Sequence, residues 1–397
     1  MTTTGDDGAG GPWHLAASDE VARTPLGIYV HVPFCVRRCG YCAFNTYALD
    51  AVGPDATATF VDAAVAEVTL AAAQLGGRPP LTSVFFGGGT PTTLRAEQLA
   101  RILDAVRERF EVRPDLEVTV EANPDGLYDG QLAALRDAGV TRLSFGLQSV
   151  RPRVLELLDR THGPDQALQA VRDAHAAGFE HVSLDLIYGT PGEREDDWQA
   201  TLDAAIDSGV DHISAYALSI EPSTKLAARV RRGALPSPDD DVAAQRYEVA
   251  EASLRAAGFE WYELSNWSRS TAGRCRHNLL YWRNQNWWGV GPGAHSHLSG
   301  VRWWNLDAPD AWSTPLLASA RADGHVGGHE VLDVDQREME RVLTGIRLSE
   351  GLSVDADSAR RLASNNAVQT LVDSRDGRVH LTREGRLLAD EVVRALV

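Results

Sequence analysis

Lysine and cysteine are scarce in this chain of 397 residues. Lys225 is the only lysine, so arginine supplies nearly all of the positive charge, and the formal net charge is −17. Such an acidic balance argues against nonspecific binding to nucleic acid and against attachment to an anionic membrane surface. Only four cysteines are present, which is too few for a disulfide-stapled secreted fold of this size.

Signals for export and membrane insertion are missing as well. We find no uncharged apolar run of membrane-spanning length, so no integral membrane segment is expected. Residues 1–25 are rich in glycine and aspartate and lack the basic start and apolar core of a secretory signal. The sequence therefore predicts a cytoplasmic protein, in a compartment where cysteine thiols stay reduced.

Three of the four cysteines lie close together in the sequence. Cys35, Cys39 and Cys42 follow the spacing C-x3-C-x2-C, and only Cys275 lies elsewhere. Three thiolates at this spacing can each take one iron of a [4Fe–4S] cubane cluster, which leaves the fourth iron open to an exchangeable ligand. A structural zinc site usually takes two cysteine pairs, and a disulfide needs oxidising surroundings, so both alternatives fit less well.

Apolar segments rich in β-branched residues alternate with amphipathic segments over the first half of the chain. We predict strands at 26–32, 83–86, 116–122, 142–146, 181–187 and 210–218, and helices at 55–75, 96–110, 129–138, 151–159, 164–177 and 194–208. Six βα units predict an α/β fold with a parallel sheet, and they are too few for a closed eight-stranded barrel. The expected architecture is a partial (β/α)6 TIM-like barrel.

The unusual polar motifs each follow one of these strands. The glycine turn 87–90, the carboxylates Glu121 and Asp185, and the amide Gln148 all fall at predicted strand ends. Each alone is more simply explained as a turn, a helix cap or a loop hydrogen bond. Ligands bind at the carboxyl ends of parallel strands, so together they predict a polar cradle for a zwitterionic nucleoside.

A second unusual region lies after the barrel. Six of the ten tryptophans fall between Trp282 and Trp312, among glycines and histidines. Packing is the default role of indoles, but this density favours a flat aromatic ligand, and an imidazole here could bind haem iron.

The chain divides into four predicted parts. We expect a flexible lead-in over 1–24, the barrel over 25–235, a Trp/His-rich extension packing on the barrel mouth over 236–327, and a small α/β domain, winged-helix-like in its pattern, over 328–397.

From about residue 25 onward the chain resembles the coproporphyrinogen-dehydrogenase-like branch of the radical S-adenosylmethionine (SAM) superfamily. The matching motifs are YVHVPFC at 29–35, FGGGTPT at 86–92, EANP at 121–124, LSFGLQS at 143–149 and DLIYGTP at 185–191. By this resemblance Cys35, Cys39 and Cys42 hold a [4Fe–4S] cluster. The implied SAM contacts are Tyr29, Tyr41, Gly88, Gly89, Thr90, Glu121, Gln148, Arg160, Asp185 and Ala217. The implied haem contact is His277.

Two functions within this branch stay open. Oxygen-independent coproporphyrinogen III dehydrogenases carry a further cysteine where this chain has Phe44. The haem chaperones of the HemW type carry C-x2-C-x-F and H-N-x-x-Y-W, which match residues 39–44 and 277–282, although Ala43 replaces their usual aspartate. We therefore expect a haem chaperone with haem, SAM and a cluster as cofactors. Its partners would be an acceptor haemoprotein and, if SAM is cleaved, a reducing electron donor. The alternatives are the dehydrogenase and a radical SAM enzyme acting on another tetrapyrrole.

Overall fold

The computed structural model describes residues 11–318 and 323–397. The strands in these ranges are β1 (Leu26–Val32), β2 (Phe34–Cys35), β3 (Tyr47–Ala48), β4 (Leu81–Gly88), β5 (Val112–Ala122), β6 (Arg142–Gln148), β7 (His181–Tyr188), β8 (His212–Ala217), β9 (Glu260–Glu263), β10 (Asn266–Ser268), β11 (Asn286–Val290), β12 (His295–Leu298), β13 (Val301–Asn305), β14 (Val326–Val331), β15 (Leu352–Ser353), β16 (Val372–Arg375) and β17 (Arg378–Leu381).

The helices complete the βα alternation and build the C-terminal part. They are α1 (Ser18–Arg23), α2 (Ala56–Leu75), α3 (Ala96–Arg109), α4 (Gln131–Asp137), α5 (Pro152–Leu157), α6 (Pro164–Ala176), α7 (Glu195–Asp207), α8 (Lys225–Arg231), α9 (Asp240–Ala256), α10 (Arg276–Trp282), α11 (Pro309–Ala318), α12 (Val334–Gly345), α13 (Ala356–Ser364), α14 (Arg383–Leu387) and α15 (Ala389–Leu396).

The predicted partial barrel is confirmed. Strands β1, β4, β5, β6, β7 and β8 lie side by side in that order, and every neighbouring pair is parallel. A seventh parallel strand, β11, pairs with the free edge of β1 and was not predicted. The sheet does not close, because the outer edges of β8 and β11 pair with the antiparallel strands β10 and β12 and not with each other. An open side of this kind leaves the interior of the barrel accessible.

The predicted extension over 236–327 is better described as part of this sheet than as a separate layer on the barrel mouth. Strands β9 and β10 extend one edge, and β11 to β14 extend the other. The main sheet of the described residues therefore has twelve strands. The reason is the edge itself: an open barrel has two unpaired strands whose N–H and C=O groups need partners.

The structure describes residues 11–24 of the lead-in predicted over 1–24, while residues 1–10 lie outside the described ranges. Residues Pro12–Leu15 form a 3-10 turn that precedes α1. Trp13 is buried, with its ring centroid 5.2 Å from that of Trp288 and 6.0 Å from that of Trp303. Burial of one large indole offsets the entropy of ordering a short segment, which the Gly- and Asp-rich composition did not reveal.

Helix α2 is the one described helix that is long and apolar enough to cross a membrane, with 20 residues and a mean hydropathy of 1.4. In the fold it packs on the barrel: Phe60 contacts Phe34 and Trp312. Glu67 is fully buried in the middle of this helix. It accepts hydrogen bonds from the Gly291 amide (2.9 Å), the side-chain amide of Asn305 (2.8 Å) and the Trp312 indole (2.9 Å). We interpret α2 as a core helix, since a buried carboxylate that accepts hydrogen bonds from three N–H groups is typical of a packed protein interior.

The C-terminal module has its own apolar core, which includes Val342, Ile346 and Leu362. Helices α12 to α15 surround a small antiparallel sheet in the order β15–β17–β16. Its predicted start at residue 328 falls inside β14, which pairs with β13 of the main sheet. The structural boundary therefore lies near Asp333, the residue that caps α12.

Candidate functional site

The carboxyl ends of the parallel strands surround a cavity of about 420 Å³. Twelve of the residues predicted to bind the cluster or SAM line it. These are Cys35, Cys39, Tyr41, Cys42, Gly88, Gly89, Thr90, Glu121, Gln148, Arg160, Asp185 and Ala217. They come from six different strand ends or the loops that follow them, so the barrel topology alone brings them together.

The cysteine loop leaves the end of β1 at this edge. Cys35 is buried, whereas Cys39 and Cys42 are half-buried. The Thr90 hydroxyl lies 3.8 Å from the Cys35 sulfur, and the Arg160 guanidinium donates to the Cys39 sulfur at 3.4 Å. Burial raises the pKa of the Cys35 and Cys42 thiols, so their thiolate forms need a compensating positive group.

This donor set fits a cluster better than a single ion. Among residues 11–318 and 323–397, no three His, Cys, Asp or Glu side chains converge on one metal position. Three thiolates that each bind a different iron of a cubane need not converge in that way. No further cysteine lies on the loop, so the fourth iron would remain open.

The glycine turn is tied to this loop by its backbone. The Gly89 amide donates to the Val32 carbonyl (2.8 Å), and the Thr90 amide donates to the Phe34 carbonyl (2.7 Å). A Cβ on Gly89 would lie 2.5 Å from that same Phe34 carbonyl, so only glycine permits the approach. The turn thus presents bare backbone to the cavity, as predicted for a ligand that packs against it.

Two half-buried carboxylates form one wall. Burial, together with the neighbouring Asp185 charge, raises the pKa of Glu121 to about 8, although the Gly88 amide donates to it at 3.3 Å. Burial also raises the pKa of Asp185 to about 6, opposed by hydrogen bonds from the Ser144 and Ser214 hydroxyls. Two such acids in one cavity favour a ligand that carries positive charge and hydroxyl donors.

Gln148 and Arg160 complete this wall, because Gln148 ends β6, the strand between those of Glu121 and Asp185. Gln148 adopts a left-handed backbone conformation with φ of 59°, and its buried Oε1 has no hydrogen-bond partner. Arg160 donates to the Asn123 side chain (2.9 Å) and to the Gly146 carbonyl (3.2 Å). A strained backbone and an unsatisfied buried acceptor are features that a bound polar ligand would account for, so the residues present fit SAM. Asn123 was missed as a positioning residue, although it lies within the EANP motif.

Tyr29 is the one predicted SAM contact outside the lining of this cavity. Its hydroxyl is hydrogen-bonded to Nδ1 of His31 at 3.0 Å, and Nε2 of His31 is bonded to the Asn45 carbonyl at 2.8 Å. These hydrogen bonds fix the end of the cysteine loop, so Tyr29 supports the site through His31 and Asn45.

Both ring nitrogens of His277 are hydrogen-bonded within the protein. Its side chain is 1% exposed, and both ring nitrogens are used: Nδ1 by the Ser83 hydroxyl (2.8 Å) and Nε2 by the Tyr281 hydroxyl (2.9 Å). Burial lowers the pKa of the ring to about 3, so it stays neutral. The haem contact expected at His277 stays a prediction, and it would require one of these two hydrogen bonds to be replaced.

Cys275 lies at the other end of the same cavity, at the N-terminus of α10. Its sulfur lies 3.7 Å from a carboxylate oxygen of Glu117, and burial raises the pKa of its thiol strongly. A thiol held in its neutral form at the floor of the barrel is separate from the three cysteines at the mouth.

Known proteins resemble this chain over nearly its whole length. The family model of the radical SAM superfamily matches residues 29–205. The heme chaperone HemW of Mycobacterium tuberculosis is 50% identical over 378 residues, which cover 94% of this chain and 95% of that protein. The heme chaperone HemW of Bacillus subtilis is 33% identical, covering 93% of this chain and 98% of that protein.

A relative and a solved structure extend the likeness. The mitochondrial radical S-adenosyl methionine domain-containing protein 1 of Bos taurus is 37% identical, covering 87% of this chain and 78% of that protein. Coproporphyrinogen III oxidase (HemN) from Escherichia coli has a similar fold, with a TM-score of 0.80 and 23% identity, covering 96% of this chain and 92% of that chain. The last comparison bears on the fold alone.

Proposed function

This chain belongs to the HemW family of radical SAM proteins, and we propose that it is a haem chaperone that binds haem and passes it to an acceptor haemoprotein. Its cofactors are a [4Fe–4S] cluster, SAM and haem. The observation that carries the proposal is the identity to the Mycobacterium tuberculosis heme chaperone over 94% of this chain. The cavity supports it, since cluster cysteines and the candidate SAM residues line one edge.

Each part of the site has a distinct task in this function. Cys35, Cys39 and Cys42 would hold the cluster, which supplies an iron able to bind the amino and carboxylate groups of SAM. Arg160 would offset thiolate charge at Cys39, while Glu121 and Asp185 would face the polar groups of SAM. The glycine turn keeps side chains away from the ligand.

We also propose a cytoplasmic location, because the three thiols must stay reduced to take up iron. An electron donor would be a further partner only if SAM is cleaved during the cycle. An acidic surface with a net charge of −17 gives no support for binding nucleic acid.

The first test distinguishes loss of cluster ligation from loss of folding. We expect Cys35→Ala, Cys39→Ala and Cys42→Ala to lose iron and acid-labile sulfide after anaerobic reconstitution. Cys275→Ser, the matched variant of the remaining cysteine, should keep both. Equal loss in all four variants would mean that folding, and not ligation, depends on these residues.

The second test separates the chaperone from the dehydrogenase. The reconstituted protein is titrated anaerobically with haem, followed by its Soret absorbance, and is then mixed with apomyoglobin as an acceptor. We expect stoichiometric binding, haem transfer, and no protoporphyrinogen from coproporphyrinogen III. Absence of haem binding together with decarboxylation of coproporphyrinogen III coupled to SAM cleavage would refute the chaperone function.

A further inference from the structure

One histidine near the cysteine loop has the geometry of a metal ligand. His295 is exposed at the start of β12, and its Nδ1 lies 3.1 Å from the carbonyl oxygen of Gly293. A carbonyl only accepts, so Nδ1 must carry the proton, which leaves a lone pair on Nε2. No described residue hydrogen-bonds to that Nε2. Metal-binding histidines are commonly oriented in this way, with the remote nitrogen donating to a backbone carbonyl.

An aromatic surface lies beside this imidazole. His295 pairs with Trp304 across β12 and β13, and the two rings stack with centroids 5.9 Å apart and an interplanar angle of 30°. The indole lies against glycine backbone on β14, since a Cβ on Gly328 would approach it to 2.5 Å. Trp304 is half-buried, whereas its neighbour Trp303 is fully buried on the other face of the sheet. The exposed side of this sheet thus carries a flat aromatic group next to a free ring nitrogen.

The turn that carries His295 is joined to the end of the cysteine loop. The Asn45 side-chain amide donates to the carbonyls of Pro292 (3.1 Å) and Asp307 (2.8 Å). The residue before it, Phe44, is 61% exposed and lines the rim of the cavity. A second aromatic side chain is therefore exposed next to Asn45, the residue that joins the cysteine loop to this turn.

We propose that haem binds at this junction, with Nε2 of His295 as an axial ligand of the iron and with Trp304 and Phe44 contacting the porphyrin. The proposal rests on the haem-chaperone function and specifies where the haem of that function is held. A macrocycle with an apolar face and a central iron needs aromatic surface and one free imidazole nitrogen, and both are present here.

The same structure gives the H-N-x-x-Y-W motif a positioning role. Nε2 of His277 is bonded to the Tyr281 hydroxyl (2.9 Å), and the Tyr281 ring packs edge-on against Trp287 with centroids 4.7 Å apart. The Trp287 indole then donates to the backbone carbonyl of His295 at 3.0 Å. The motif thereby fixes the backbone of the proposed ligand without touching the iron.

Three single variants test the assignment in the full-length reconstituted protein. Changes behind a metal ligand already cost about 10- to 100-fold in affinity, so His295→Ala should weaken haem binding at least about tenfold and change the Soret and electron paramagnetic resonance spectra. Added imidazole should restore the spectrum, because it can occupy the vacated position. His297→Ala is the matched control on the same strand: its ring is bonded to the Gln285 carbonyl and accepts from the Gly300 amide, so the spectrum should not change.

His277→Ala separates positioning from ligation. We expect weaker haem binding with the same axial-ligand spectrum. Haem bound by His295→Ala with unchanged affinity and spectrum would overturn the assignment, and so would loss of the histidine signature in His277→Ala but not in His295→Ala. Failure of the wild-type protein to bind haem would instead refute the chaperone function itself, which keeps the two results distinct.

Discussion

Binding of SAM should release a proton from Glu121. In the ligand-free protein, burial and the neighbouring Asp185 charge raise the pKa of this carboxyl to about 8, so at pH 7 roughly nine molecules in ten carry it protonated. SAM brings a positive sulfonium and an amino group into the same cavity. Positive charge nearby favours the carboxylate, and its pKa should fall back towards the ordinary range.

The size of the effect follows from the distance between pKa and pH. At pH 7, one unit below this pKa, removing the proton from Glu121 costs about 1.4 kcal/mol. The affinity for SAM at pH 7 should therefore be about tenfold lower than the affinity well above pH 8. Affinity should therefore rise with pH up to about pH 8 and then level off. Asp185, with a pKa of about 6, adds to this slope only at lower pH.

Titration calorimetry in buffers of different ionisation enthalpy measures both the affinity and the protons released. The control is Glu121→Gln, which removes this proton while the amino group of SAM titrates as before. The difference between the two proteins should approach ~0.9 protons at pH 7. Equal proton release and equal pH slopes in both would show that Glu121 stays protonated beside SAM, and the electrostatic reasoning would be refuted.

Four further variants test the fold and the fourth cysteine. Glu67→Ala leaves three buried N–H donors without their acceptor and should lower the free energy of unfolding by at least about 3 kcal/mol in urea denaturation, with Glu67→Gln losing less. Burial raises the pKa of Glu263 to about 7, so the folded state holds this proton more tightly than the unfolded state does. The free energy of unfolding should therefore fall by about 3 kcal/mol as the pH rises from 4.5 to 7. Glu263→Gln should remove that slope, and an unchanged slope would contradict it. Cys275→Ser should leave haem affinity and spectrum unchanged, because the thiol is buried at the floor of the barrel.

The six βα units could be predicted because their signal is local. Apolar runs such as 26–32 end at glycine or proline, and an amphipathic helix follows each of them, so chain order alone defines the sheet. Strand β11 could not be found in this way. Its pairing with β1 joins residues about 260 positions apart, and nothing within Asn286–Val290 signals which edge it will meet.

The residues of the candidate site show the same difference between local signals and long-range contacts. Glu121, Gln148 and Asp185 were predicted together because strand ends of a parallel sheet meet at one edge. For His277, the motif indicates that the residue matters without showing what its ring nitrogens contact. The hydrogen bonds to Ser83 and Tyr281 are long-range facts of the fold, and only the structure provides them.

A fold shared with coproporphyrinogen III oxidase does not decide between catalysis and haem transfer, so the difference must lie in how ligands are exposed. The candidate SAM residues line the interior of the barrel, where Glu121 and Asp185 are half-buried. Phe44, at the rim of the cavity, and His295, at the start of β12, in contrast face solvent. A ligand that must be handed to another protein has to remain reachable, whereas a ligand held for chemistry is better enclosed. A cavity inside the barrel for SAM, beside an exposed aromatic surface for haem, is therefore the arrangement that a haem carrier with a retained radical SAM core requires.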